Sequence, residues 1–303
     1  PSHPLSIAVL RVLAYADVFS YPLTIDETVR QLEVTATREE VAQALTSDAW
    51  LRDRVSWQPP LVALANRYEW FKRRQDREPA NRYLWHNARH YGRYLAGIPF
   101  VRMVAVTGAL AVDNAPNRND DIDYLLVTAP DRLWLARFLI VILVRLVAWR
   151  GVRICPNYLI TVDAVDQFDR SFFTAHELAQ MVPLYGLKVY GMLLQANAWA
   201  KDFLPNAFEQ GDGRRGVPPP WVLRLTKKGV EILLGGALGD ALERFERTRK
   251  IRRLSRRAMD AQSREAHFSA KYCKGHMDNH GTSIARAYAE RVECAKAPNL
   301  DQK

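Results

Sequence analysis

The segment Val101–Thr128, VRMVAVTGALAVDNAPNRNDDIDYLLVT, constrains the fold of this chain more than any other stretch. Met103–Val106 is an apolar run rich in strand formers, and it stops at Thr107-Gly108. A second run, Tyr124–Val127, opens on Asp121-Ile122-Asp123 and is bounded by Thr128-Ala129-Pro130. The order is strand, glycine turn, short helix, loop, strand. Alternation along the second strand puts Asp121 and Asp123 on one face and Ile122 on the other. Two carboxylates a pleat apart repel each other unless a cation lies between them. Mg²⁺ (or Mn²⁺) suits, because Mg²⁺ is held by one or two carboxylates together with substrate phosphates. A turn without a Cβ, leading into a helix, lets backbone N–H groups approach a phosphate. Thr107, Gly108 and Ala109 are therefore the expected triphosphate cradle, and Asp121 and Asp123 the expected metal ligands. The plainer alternative is an ordinary αβ unit whose aspartates cap a surface loop.

A hydrophobic strand, a glycine turn and then Asp-hydrophobic-Asp on the next strand resembles the nucleotidyltransferase superfamily of DNA polymerase beta. The resemblance implies an α+β fold with a small mixed sheet. It also implies Mg²⁺-dependent transfer of a nucleoside monophosphate from an NTP to an acceptor hydroxyl or phosphate. Gly108 matches the family's glycine and Asp121 and Asp123 its metal pair, while Ala109 stands where the family usually has serine. The family carries a third acid on the strand after the following helix, completing a two-metal site. Val152–Thr161 is that strand here, and its interior holds Asn157 and Tyr158. Asp163, just past the strand, is the expected third acid, provided the chain turns back toward the pair. The competing expectation is a catalytically inactive protein of this fold, acting as a nucleic-acid-binding or regulatory module. Ala109 and the missing strand acid favour it.

The chain's 303 residues give room for two or three domains. A formal net charge of +10 favours polyanionic partners: nucleotides, nucleic acid or an anionic surface. Cys155, Cys273 and Cys294 are widely spaced and odd in number, so no disulfide framework is implied and a reducing cytoplasm is expected. No signal peptide is read in the opening PSHPLS, which lacks an initiator Met and leaves room for further N-terminal sequence.

Residues 1–67 read as a winged-helix-like domain. Ser6–Asp17 is apolar enough for a buried helix, and Thr24–Glu27 and Thr37–Glu40 are capping boxes opening two more. Arg54–Trp57 and Leu61–Leu64 form a hairpin across Pro59-Pro60. Its recognition helix offers Arg38 and Gln43 against Glu39 and Glu40, so a brace or protein contact is expected rather than DNA reading. Residues 68–98 are a basic, aromatic connecting helix with Pro79 inside, and residues 99–166 the nucleotidyltransferase core. Within that core, Arg132–Arg150 is a helix capped by Asp131; at this length, with Arg137 and Arg145 inside it, no membrane span is expected.

Residues 167–210 supply helices completing the core. A capping box at Thr174–Glu177 and a single helix over Leu187–Phe203 are expected; the resemblance would make Glu177, Asn197 and Trp199 base-pocket liners, whereas plain packing and capping is the expectation for each singly. Residues 211–220 are a linker and residues 221–303 a basic helical region. Arg244–Arg257 carries eight basic residues and one acid, Glu246, which suits either RNA or DNA binding or a solvated helix. Cys273, His276, Asp278 and His280 fit a zinc site; Lys274, His276 and His280 could instead contact phosphate, or the stretch is a plain surface loop.

Overall fold

Two reciprocal capping boxes open the first unit. Helix α1 (Pro4–Val18) is followed by β1 (Leu23–Thr24), α2 (Ile25–Arg30), α3 (Arg38–Ser47), α4 (Ala49–Arg52), β2 (Val55–Gln58) and β3 (Leu61–Leu64). Thr24 and Thr37 each accept an amide of the helix they precede, and Glu27 and Glu40 return the bond. The strands pair antiparallel in the order β1-β3-β2. Val9, Leu10, Val12 and Leu13 of α1 pack with Leu32, Val41, Leu45, Leu51 and Val62 in one core. The computed structural model describes residues 3–166, 168–208, 216–263, 266–275 and 280–296.

Helix α5 (Tyr68–Gly97) runs unbroken through Pro79 and joins this unit to the rest. Some of the aromatic and basic side chains at its start donate to acceptors in the first unit. Arg67, just before the helix, and Trp70 each reach Asp17 at 2.8 Å. Arg74 grips both oxygens of Glu27 at 2.7 and 2.9 Å. A bidentate guanidinium–carboxylate pair fixes orientation as well as distance. Further along, the backbone of Ala88 accepts from the Tyr124 hydroxyl at 2.8 Å.

The second unit contains β4 (Val101–Val106), α6 (Gly108–Ala111), β5 (Ile122–Thr128), α7 (Leu133–Ala148), β6 (Ile154–Thr161), α8 (Phe172–Gln180), β7 (Val182–Tyr185), α9 (Leu187–Ala196), α10 (Trp221–Leu233), α11 (Ala237–Asp260), β8 (His267–Phe268), β9 (Tyr272–Lys274) and α12 (His280–Lys296). The sheet order is β7-β4-β5-β6-β9-β8, with β5 and β6 parallel and every other neighbour antiparallel. Helix α7 is the crossover between the two parallel strands. One apolar core lies between the sheet, α5 and α7, and another on the opposite face beneath α8 and α9. Two sheets with helices around them make the chain α+β, as expected. Among the described residues no helix is long and apolar enough to cross a membrane; the apolar α7 buries Trp134, Ala136 and Ile140 instead.

Several local expectations are corrected. Asp131 does not cap α7: the amides of Trp134 and Leu135 are bonded instead by the Glu243 carboxylate of α11, at 3.0 and 2.7 Å. Helix α8 starts three residues early, where Ser171 Oγ accepts from Thr174 N, so Thr174–Glu177 is not its capping box. The helix read over Leu187–Phe203 breaks at Asn197, whose side-chain amide donates to Val165 O at 2.6 Å and to Leu193 O. Val182–Tyr185 is a strand despite Pro183, because β7 pairs only with β4 and otherwise borders no strand. The C-terminal region is not purely helical. Strands β8 and β9 extend the sheet, and α12 returns to α1, placing Val292 in the first unit's core.

His176 sits where α8 meets α1, its ring 4.0 Å from that of Tyr15. Nδ1 bonds the Phe172 carbonyl at 3.0 Å, and Nε2 has no hydrogen-bond partner among the described residues. Burial lowers its pKa from 6.5 to about 4. The buried ring is neutral while the unfolded ring takes a proton near 6.5. This contribution is therefore whole above that pH and is lost as pH falls toward 4, about 3 kcal/mol in all. Denaturant titrations from pH 7 to 4 should show His176→Phe losing less stability than the parent over that window. Glu243→Ala should cost about 1–3 kcal/mol at neutral pH, since it leaves two buried amides unbonded.

Candidate functional site

Strand β4 ends at Val106, and Thr107 N then donates to Asp123 O at 3.0 Å. The next residue, Gly108, turns at φ +67°. A Cβ there would collide with the Asp123 carboxylate, so glycine is required both for the backbone angle and for the close approach. Helix α6 is a single turn, so any anion affinity at this corner comes from the turn amides and not from a long helix dipole.

Strand β5 alternates as expected. Ile122, Tyr124 and Leu126 face the core shared with α5 and α7, whereas Leu125 and Val127 face the core beneath α8. Asp121 and Asp123 therefore fall on the second face. Asp121 is exposed and lies 4.0 Å from Arg153, itself exposed, a pairing weakened by solvent. Asp123 is half-buried against the glycine turn.

The neighbouring strand was misread at one position. Cys155, not Asn157, stands opposite Asp123 in the parallel pair. The register then shifts, so that Leu125 faces Tyr158, with the extra residue taken up at Pro156-Asn157. The Cys155 thiol donates to the Asp123 carboxylate. Burial first, and then that carboxylate, push its pKa up to about 12. It is thus a protonated donor at neutral pH. A signal for this lay in the sequence, since Pro156 inside a strand marks an irregularity.

Asp163 does not join the pair. Strands β5 and β6 run parallel, with Thr128 level with Thr161, so Asp163 lies past the end opposite Asp123. That is roughly 17 Å of strand away. There it meets Lys271 at 2.6 Å. The chain does not turn back after Thr161, because a short 3₁₀ turn over Val162–Ala164 carries it onward.

A cavity of about 260 Å³ opens over the glycine turn. Thr107, Gly108, Ala109, Asp123 and Asn157 form its floor, and Tyr15, Phe19 and Gln31 of the first unit its roof. Glu177 lines it, and Asn197 and Trp199 do not. Asn197 is buried holding Val165 and Leu193, and Trp199 Nε1 donates to it at 3.2 Å. A larger cleft of about 1090 Å³ runs beside α1, α8 and α12, floored by Phe172 and Tyr288 in stacked contact. Of the residues expected to contact phosphate it holds Lys274, and it holds none of the expected metal ligands.

Of the expected metal pair, Asp123 lines the cavity and Asp121 does not. Strand β6 brings no carboxylate to this place: Cys155 stands opposite Asp123 and Asn157 lines the cavity. Among the described residues no group of three or more His, Cys, Asp and Glu side chains is placed to hold a metal. Of the residues read as a zinc site, Cys273 is buried in β9, with its thiol pKa raised by burial. His276 and Asp278 lie outside the described residues, as does the side chain of His280. In comparison with known proteins, no family model, no curated protein and no solved structure matches the chain.

Proposed function

We propose that this chain is a nucleotidyltransferase-like protein that binds a Mg²⁺–nucleoside triphosphate in the cavity over Gly108, with its transfer chemistry attenuated. The observation that supports this most is the Asp123 carboxylate packed against the Gly108 turn on the floor of that cavity. In this reading Asp121 and Asp123 hold the cation, which supplies charge neutralisation to the phosphates. The Thr107–Ala109 turn orients the triphosphate, and Tyr15 and Phe19 exclude water from above.

Attenuation follows from the chemistry facing Asp123. The Cys155 thiol donates a proton to the Asp123 carboxylate and adds no second anionic oxygen beside it. Asn157 offers a neutral oxygen where a two-metal centre uses an anion. The first unit's order of helix, strand, three helices and hairpin supports the winged-helix reading. Arg38, the cation at the start of α3, is engaged by Asp26 at 2.7 Å, which supports a bracing role over DNA reading.

Calorimetry with ATP should show affinity that depends on Mg²⁺. Asp123→Asn should weaken the Mg²⁺-dependent part by at least about tenfold, a loss that even outer-shell partners of a metal produce. Equal affinity in EDTA and in Mg²⁺ would sink the assignment. Transfer from labelled NTP to cellular RNA or protein tests the attenuation. Cys155→Asp or Asn157→Asp should raise it, and Asp163→Asn should leave it unchanged. Loss of a transfer reaction in Asp163→Asn would show that the site is built elsewhere.

A further inference from the structure

Helix α10 is bound to the protein by its polar side. Leu223, Lys227 and Glu231, four residues apart, form the inward stripe. Lys227 is buried and its ammonium donates to Ala96 O at 2.9 Å and Val101 O at 2.6 Å. Glu231 accepts from Phe100 N at 2.6 Å and from Arg102 at 2.7 Å. Leu223 closes against Gly97, where a Cβ would stand 2.8 Å from it.

The other side is apolar and faces solvent. At 100° per residue Trp221, Val222, Leu225, Ile232 and Leu233 fall within one third of the helix circumference. Trp221 is 66 % exposed, Leu225 63 %, Ile232 83 % and Leu233 68 %. The exposed Arg224 and Lys228 run along one edge of this stripe. Beyond Gly235-Gly236, α11 continues the pattern with Leu238, Leu242 and Phe245, all exposed and on one helical face. The same face then turns cationic at Arg249, Arg252 and Arg256. Arg132 donates to Leu234 O and Gly235 O, which ties the turn between the two helices to the body. The solvent-facing stripe is thus held in place by buried polar bonds, whereas an amphipathic helix of a globular protein ordinarily turns its apolar side to the core.

We propose that α10 and the first turns of α11 dock onto an anionic lipid bilayer. The apolar stripes enter the boundary between headgroups and acyl chains, while Arg224, Lys228 and the α11 arginines meet phospholipid phosphates. An apolar face edged by lysine and arginine, with a tryptophan at its rim, suits that boundary. Nucleic acid would engage the arginines but leave the aliphatic stripe in water. A second copy set against this face would bring two arginine-rich α11 segments together, and like charges across an interface cost affinity.

The test is flotation of the full chain with phosphatidylcholine vesicles, with and without phosphatidylglycerol. The expected result is partition onto the phosphatidylglycerol vesicles that weakens as salt is raised, with a blue shift in tryptophan emission. Leu225→Glu combined with Ile232→Glu should cut partition roughly tenfold or more. Both side chains lie outside the packed core, so the double variant should keep the parent's circular dichroism and melting temperature. Absence of partition by the parent, or equal partition by the variant, would overturn the proposal. So would a dimer in solution that the double variant converts to monomer, or RNA binding that this variant abolishes.

Discussion

The carboxylate of Asp17 holds the two halves of this molecule in register. It sits at the end of α1 with its side chain 2 % exposed, and a buried carboxylate is tolerated only when its oxygens are bonded. One oxygen takes Arg67 and Trp70 from the start of α5, and the other takes Arg291 from α12. Three donors from segments far apart in sequence thus converge on one acid. Losing any of them would leave part of a buried charge uncompensated, so the joint acts as a unit. Arg74 on Glu27 repeats the device one turn further along α5. The consequence is positional: Tyr15, Phe19 and Gln31 of the first unit line the cavity over the Gly108 turn.

Beneath that roof the chemistry is set by what lies across from Asp123. Proton donation from a buried thiol stabilises the carboxylate without bringing in a second charge. The Cys155–Asp123 contact can therefore persist in a half-buried place where two facing carboxylates would demand a metal. The register makes this arrangement. Pro156 brings no backbone N–H to the ladder, and the bulge beside it sets Cys155 against Asp123 and Asn157 toward the cavity. The irregularity of β6 and the absence of a carboxylate opposite Asp123 are in this sense one feature.

What could be read from sequence followed the range of the forces involved. The capping boxes at Thr24 and Thr37, the alternation of Asp121-Ile122-Asp123 and the glycine at 108 are local, and each is where its spacing put it. Misreadings gathered where a distant partner overrode a local signal. Asp131 looked like a cap until Glu243, more than a hundred residues away, took the amides of α7. Tyr272–Lys274 looked like a loop because its strand character depends on the open edge of β6. Asp163 was chosen for its charge, yet the direction of β6 decided its place, and strand direction is not written in a strand's own residues.

Helix α10 shows the same limit from the other side. Its amphipathicity is visible in the sequence, but amphipathicity alone does not say which side is inward. Ordinarily the apolar side is inward because burying it is favourable and polar groups prefer water. Here the unbonded carbonyls at the C-terminus of α5 and the start of β4 supply acceptors for Lys227, and Arg102 with the Phe100 amide supplies donors for Glu231. Hydrogen-bonded in that way, a lysine and a glutamate tolerate the interior, with burial lowering the pKa of Lys227 to about 8. The polar stripe is thereby the adhesive one, and the apolar stripe has nowhere to go but outward. A surface arranged so is stable without a partner only because its inner bonds are strong, which frees its outer face to be selected for something other than folding.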